Sequence, residues 1–65
     1  MTILRCTKSG DFYQFRGDAA KTVADVLTLT VMKDRSGESL VGVPIHCAND
    51  WFRILSDSGY QAQVA

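Results

Sequence analysis

The last third of the chain constrains the fold most, because a helix and a strand follow each other there without a linker. Residues 48–64 read ANDWFRILSDSGYQAQV, and apolar side chains recur at helical spacing through the first half of this segment. The stripe comprises Trp51, Phe52, Ile54 and Leu55 and continues to Ser58. Burying each large apolar side chain contributes about 1.5–3 kcal/mol, so this face is expected to pack against a sheet or a partner.

Both ends of this predicted helix carry recognisable signals. Asn49 is a preferred N-cap residue, since its side-chain oxygen can accept a hydrogen bond from a free backbone N–H of the first turn. Asp50 adds a negative charge near the positive end of the helix dipole. Gly59 suits the left-handed position after a helix, and Tyr60–Val64 then alternates apolar and polar residues as a strand does.

The first half of the chain predicts a hairpin followed by a helix. Strands are expected over Thr2–Thr7 and Asp11–Arg16, joined by a turn at residues 8–10. A second short helix is expected over Asp18–Leu27, with Asp18 as its cap. The alternative is a strand from about Thr22, because the apolar run continues without a breaker.

Two more strands are predicted in the middle of the chain. Leu27–Lys33 alternates and is rich in β-branched residues, and Ser39–His46 alternates after a polar turn at residues 34–38. Pro44 has no N–H to donate to a neighbouring strand. Its strand is therefore expected at a sheet edge or to end in a bulge.

The resulting order, ββαββαβ, predicts a two-layer α+β domain of about five mainly antiparallel strands and two short helices. Two strand–helix–strand units in succession can form a split βαβ sheet with both helices on one face. The alternative is a small twisted β-barrel that keeps only the C-terminal helix. The predicted core comprises Leu4, Val23, Leu27, Leu29, Val31, Val41, Val43, Ile45, Trp51, Ile54, Leu55 and Val64.

A chain of 65 residues predicts one domain with a marginal core. Two cysteines are too few for a disulfide framework, and the N-terminal residues do not resemble a secretory leader. No apolar run approaches the roughly 20 residues of a membrane helix. We therefore expect a cytoplasmic protein with reduced thiols, and self-association into a homo-oligomer would enlarge its core.

The charge balance argues against a nucleic-acid partner. Seven basic and seven acidic side chains cancel, whereas nucleic-acid binders usually carry a basic excess. The charges are mildly segregated, since residues 1–35 carry a net charge of +2 and residues 36–65 a net charge of −2. This asymmetry is compatible with association between copies of the chain, although most surface ion pairs contribute little.

Cys47 is the candidate reactive thiol, because it lies just before a predicted helix N-terminus and next to His46. Adjacent residues of an extended segment point in opposite directions, however, so the imidazole is badly placed to activate the thiol. The favoured interpretation is a small buried apolar side chain. A metal site would need Cys6, His46 and Cys47 to converge, and the paired spacing of zinc ligands is missing. No metal or other cofactor is therefore predicted.

The aromatic hairpin is the second candidate site. Aromatic rings on an open sheet can stack on bases while basic groups hold phosphates. The segment KSGDFYQFR resembles the aromatic strand of RNA-recognition motifs, from which Asp11 departs, and no second aromatic strand accompanies it. The candidate residues for nucleic acid are Arg5, Lys8, Phe12 and Arg16. Core packing of these rings, with one ring left for an interface, is the favoured interpretation.

The favoured function is a non-enzymatic binding or adaptor module that acts as a homo-oligomer or on an unidentified protein partner. Its interface candidates are the large rings Trp51, Phe52, Tyr13 and Phe15. For Trp51 a core position is the favoured interpretation, and a dimer contact comes next because tryptophan is enriched at binding hot spots. The alternative is a small nucleic-acid-binding regulator, and the least favoured is a thiol enzyme using Cys47.

Overall fold

The computed structural model describes residues 2–65 and contains five strands, two α-helices and one short 3-10 turn. The strands are β1 (Thr2–Ser9), β2 (Phe12–Arg16), β3 (Met32–Lys33), β4 (Ser39–Pro44) and β5 (Tyr60–Val64). The helices are α1 (Asp18–Leu27) and α2 (Ala48–Asp57), and the 3-10 turn at Ile45–Cys47 leads into α2. Neither helix has the length and apolar content needed to cross a membrane, within the residues described.

The five strands form one open sheet in the order β3-β4-β2-β1-β5. Strands β1 and β5 are parallel, and the other three neighbouring pairs are antiparallel. From these directions, α1 connects parallel strands β2 and β3 across β4, and α2 connects parallel strands β4 and β5 across β2 and β1. The predicted split βαβ arrangement is therefore confirmed. The barrel alternative is wrong, because β3 and β5 are unjoined edges.

Both helices pack on one face of the sheet and enclose the core between the two layers. Predicted core residues Val23, Val41, Val43 and Leu55 are at most 1% exposed. Small side chains on the facing sides of α1 and α2 let the helices approach the sheet and each other closely. The complete buried cluster is Leu4, Cys6, Phe15, Ala20, Val23, Ala24, Val41, Val43, Ala48 and Leu55.

Three residues predicted to be in the core are exposed instead. Ile54 lies about 100° around α2 from buried Leu55, because consecutive helical residues are turned by that angle, and it is 47% exposed. Val64 is 46% exposed on the edge strand β5, and Val31 is 36% exposed in the irregular segment before β3. The domain has only one sheet and one helix layer, and neither layer covers these three side chains.

The predicted strand over Leu27–Lys33 is reduced to two residues. Thr28 adopts a left-handed backbone (φ 57°, ψ 48°) that ends α1, and the Leu29 N–H donates to the Ala24 carbonyl at 2.8 Å. Residues 28–31 then carry the chain to the far edge of the sheet, where Met32–Lys33 pairs with β4. The β propensity of this segment is overridden by the distance that the crossover must span.

The ends of the other elements also differ from the sequence predictions. Strand β4 stops at Pro44 rather than His46, and β3 pairs with it only at residues 39 and 40, so the Pro44 end of β4 is an edge. Helix α2 begins at Ala48 without a side-chain cap, so Asn49 is not the N-cap. Gly17, rather than Asp18, precedes α1. These are shifts of one or two residues.

Gly17 joins β2 to α1 in a conformation (φ 66°, ψ −136°) that residues with a side chain rarely enter. Its N–H also donates to the Ser39 carbonyl at 2.9 Å, so the backbone there is fixed. We expect Gly17→Ala to lower the free energy of unfolding by about 1–3 kcal/mol, measured by urea titration. Gly10→Ala, in an exposed turn with φ 59°, is the control and should cost about 1 kcal/mol. A smaller loss for Gly17→Ala than for Gly10→Ala would contradict the expectation.

Candidate nucleic-acid interface

The sheet face opposite the helices is uncovered. Alternation along the strands directs every second side chain to this face, and the registers of neighbouring strands align those side chains into rows. We call it the open face. It comprises Ile3, Arg5, Thr7, Ser9, Phe12, Gln14, Arg16, Met32, Leu40, Gly42, Pro44, Gln61 and Gln63.

Acidic residues are absent from all five strands, and the strands carry four of the seven basic residues of the chain. The seven carboxylates lie on the helices and in turns. Arg5 and Arg16 are on the open face, whereas Lys8 and Lys33 lean to the helix side, with Lys33 Nζ 3.4 Å from Ser39 Oγ. The zero net charge therefore conceals a face with positive side chains and no carboxylate on its strands.

Phe12 is the exposed aromatic ring of the open face. It is 46% exposed although it starts a central strand, and its Cβ and ring lie against Gly42 of β4. A Cβ at position 42 would come within 3.4 Å of Phe12 Cδ1, so the glycine leaves the space in which the ring lies. Met32, which is 55% exposed, lies beyond Gly42 on the same apolar strip.

The hairpin end beside Phe12 is held by the segment that precedes α2. The Ile45 N–H donates to the Asp11 carbonyl at 2.9 Å, and Phe12 is paired with Pro44 across β2 and β4. A hollow of about 560 Å³ lies there, lined by Lys8, Gly10, Asp11, Phe12, Pro44, Ile45 and His46. The hollow is thus lined by an aromatic ring, a basic side chain and the apolar side chains of Pro44 and Ile45.

Two arginines line one hollow further along the same face. Arg5 of β1 and Arg16 of β2, together with Thr7 and Gln14, line a hollow of about 160 Å³ that we call the arginine hollow. Cys6 and Ala65 complete its lining. Guanidinium groups provide rigid forks of donors that fit the oxygens of phosphates and carboxylates. The hollow is thus suited to an anion.

Arg16 already has an anionic neighbour, the carboxylate of Asp34. Arg16 Nη1 donates to Asp34 Oδ2 at 2.6 Å, and Arg16 Nη2 lies 3.4 Å from Gln14 Oε1. The other oxygen, Asp34 Oδ1, accepts from the Ser36 hydroxyl, the Ser36 N–H and the Glu38 N–H. The Ser36 hydroxyl and then the Glu38 N–H lower the pKa of Asp34, so the carboxylate stays charged at neutral pH.

The predicted protein-interface rings mostly belong to the interior. The prediction for Phe15 is wrong, because its side chain is 0% exposed under α1 and α2. Tyr13 and Phe52 are half-buried and pack together with ring centroids 5.5 Å apart, and Trp51 is half-buried against the core. The helix layer therefore uses these rings mainly for packing between α2 and the sheet.

The candidate thiol Cys47 is half-buried at the start of α2, and Cys6 is 2% exposed in the core. Neighbouring His46 is exposed. Within residues 2–65 no three histidine, cysteine or acidic side chains are arranged to hold a metal ion.

The two thiols should differ in reactivity. Burial raises the pKa of the Cys6 thiol, which lowers its thiolate fraction at any pH below that value. We expect maleimide at neutral pH to modify Cys47 well before Cys6 in the native protein, followed by mass spectrometry of peptides. Cys47→Ser should remove the faster phase and leave the slower one. Equal labelling of the two thiols before unfolding would contradict the buried position of Cys6.

Sequence reasoning missed Gln14, Gly42 and Asp34 as parts of this site. The alternation of β2 already puts Gln14 on the same face as Phe12. Gly42 joins the site through the pairing of β2 with β4, and Asp34 joins it through the path of the turn after β3. No local sequence pattern predicts either of these. The predicted nucleic-acid residues Arg5, Phe12 and Arg16 share the open face, and Lys8 lies beside Phe12 at the hairpin end.

Fold and site define a class of small α+β domain in which helices cover one sheet face and the other presents arginines and an exposed aromatic ring. Residues 1–65 match the family model for MutS domain I. Because the match covers the whole chain, the chain belongs to the MutS domain I family.

The relatives it resembles are bacterial and archaeal proteins that carry one name, DNA mismatch repair protein MutS. The chain is 34% identical over 55 residues to that of Petrotoga mobilis and 39% identical over 62 residues to that of Methanosarcina mazei. It is 41% identical over 59 residues to that of Natronomonas pharaonis. The alignments cover 85%, 88% and 86% of this chain, and 7% of each relative. The chain therefore spans a small part of the length of these relatives.

Proposed function

We propose that this domain binds DNA through its open face and contributes to the recognition of mispaired or unpaired bases. The observation that carries the proposal is the exposed Phe12 ring on a sheet face that has arginines and no acidic strand residue. Membership of the MutS domain I family and the name of the relatives, DNA mismatch repair protein, support the same role. Both favour the nucleic-acid alternative over a general adaptor module.

Phe12 is the group proposed to probe the bases. Apolar side chains that enter the minor groove wedge between base steps and partly unstack them. Unstacking costs least where a base is mispaired or unpaired, so an inserted ring binds such sites in preference to a matched duplex. The hairpin end that carries Phe12 is fixed by the hydrogen bond from Ile45 to Asp11, so the ring is held ready before DNA arrives.

Gln14 is proposed to provide polar contacts next to the ring. It lies two residues along β2 on the same face, and its side-chain amide offers both donors and acceptors. A neutral amide causes no charge repulsion as the phosphates approach, and it can bond to the base edges that an inserted Phe12 uncovers. Arg5 and Arg16 would hold the phosphates beyond it.

This proposal is tested with fluorescence anisotropy on labelled duplexes that differ only at one central position. Duplexes with a mismatch or a single unpaired base should bind more tightly than the matched duplex, and all affinities should fall as salt rises. Equal affinity for all the duplexes would remove the mismatch role. Absence of salt-dependent binding to any duplex would remove the DNA-binding role as well.

The proposed role is binding rather than catalysis.

Self-association of the chain stays a prediction, and light scattering would test it. If the domain is a dimer in solution, the apolar side chains exposed on α2 and β5, Ile54 and Val64, are the surfaces to examine first.

A further inference from the structure

We propose that the arginine hollow binds one backbone phosphate of DNA and that Asp34 competes with this phosphate for Arg16. This inference rests on the proposed function, since DNA supplies the phosphate. It assigns Asp34 the role of a positioning residue, which holds the Arg16 guanidinium at the edge of the hollow while the site is empty.

The two oxygens of the Asp34 carboxylate have separate tasks. Oδ1 is occupied by three donors from residues 36 and 38, so it fixes the turn between β3 and β4. Oδ2 is left for Arg16, which donates to it at 2.6 Å. The carboxylate is thus anchored by its own turn and reaches across to β2 without depending on Arg16 for its position.

The ion pair is open to exchange with a phosphate. The side chains of Arg16 and Asp34 are 46% and 20% exposed, so water and salt screen their attraction, and such surface pairs contribute little net stability. A backbone phosphate has two non-bridging oxygens that share its negative charge, and it fits the guanidinium fork as a carboxylate does. It can therefore replace Asp34 at Arg16 without disrupting the fold.

Arg5 gives the hollow a second side chain that can donate hydrogen bonds to an anion. Its side chain forms no hydrogen bond or ion pair with any of residues 2–65, and it faces the same hollow as Arg16. The Thr7 hydroxyl and the Gln14 amide add donors beside the two arginines. A phosphate there would bring together two positive charges, of which only one is now offset by a carboxylate.

The test compares Asp34→Asn and Arg16→Gln with the unchanged chain in DNA titrations over a range of salt concentrations. The asparagine keeps an Oδ1 acceptor for the turn but removes the charge that competes for Arg16. We expect about two- to fivefold tighter binding at low salt. Arg16→Gln should weaken binding and reduce the slope of log affinity against log salt by about 0.9, as expected for one lost phosphate contact.

Matched controls lie on the helix side of the domain, where Asp25→Asn and Arg53→Gln make the same charge changes at exposed positions. Circular dichroism checks that all four variants are folded. If Asp34→Asn binds no more tightly than Asp25→Asn, the competitor role is wrong. If Arg16→Gln changes the salt slope no more than Arg53→Gln, the phosphate site is wrong.

A second readout separates this inference from the proposed function. Titration with inorganic phosphate, followed by NMR of the arginine Nε–H groups, reports on the hollow without DNA. Shifts at both Arg5 and Arg16 that become larger in Asp34→Asn support the site even if mismatched and matched duplexes bind equally. If neither arginine responds to phosphate in the unchanged chain or in Asp34→Asn, the inference is overturned, whatever the DNA titrations show.

Discussion

Phe15→Ala is expected to remove most of the stability of this domain. The ring is fully enclosed and packs edge-on against Phe52, with centroids 6.2 Å apart and planes at 87°. Truncating a buried phenylalanine costs about 3–5 kcal/mol, and a domain of this length is expected to have only about 3–10 kcal/mol in total. Urea titration followed by far-UV circular dichroism should show a much lower midpoint or a partly unfolded protein in buffer.

The same strand supplies the control for that experiment. Phe12→Ala removes an identical ring from the opposite face of β2, where it is 46% exposed, so the loss of stability should be small. Phe15→Leu keeps most of the buried volume and should cost less than about 1.5 kcal/mol. Similar losses for Phe12→Ala and Phe15→Ala would mean that the two faces of the sheet are not distinct.

Phe12→Ala should have its large effect on DNA binding instead. Stacking of one aromatic side chain on a base contributes about 1–3 kcal/mol, which corresponds to a loss of affinity of roughly five- to 150-fold. The loss should be greatest for duplexes with a mispaired or unpaired base, because the ring is proposed to insert there. Affinity for the matched duplex depends mainly on the phosphate contacts and should change less.

The control for this second experiment is Ile3→Ala. Ile3 is 54% exposed on the same open face but lies on β1, away from the hairpin end. Its removal should leave the preference for mismatched duplexes intact. If Phe12→Ala keeps the full preference, or if Ile3→Ala loses it equally, Phe12 is not the group that probes the bases.

Local signals were sufficient for much of the fold. The predicted bounds of α1, Asp18–Leu27, coincide with the observed ones, because its apolar stripe faces the sheet and glycine precedes it. In β2, side chains that alternate between the two faces place Gln14 and exposed Phe12 opposite Tyr13 and buried Phe15. Elements whose local pattern agrees with their tertiary environment can be predicted from sequence.

Contacts between residues that are distant in the sequence explain the features that the sequence did not predict. Residues 28–31 have strand propensity, but the connection from α1 to the outer edge of the sheet prevents them from pairing. The zero net charge argued against a nucleic-acid partner. That argument misled because a sum over the chain does not say how the charges are distributed between the faces of the sheet. The carboxylate of Asp34 reaches Arg16 across 18 residues of sequence, and only the folded sheet brings them together.

The parallel ladder between β1 and β5 has a consequence for how the domain folds. It joins Leu4 to Ala62, so almost the whole chain forms a loop that must close before this pairing contributes to stability. The β1–β2 hairpin is local and can form early, whereas β5 can add only after α2 has crossed the sheet. Folding is therefore expected to be limited by this last strand, and an intermediate without it would expose the edge of β1 to other chains.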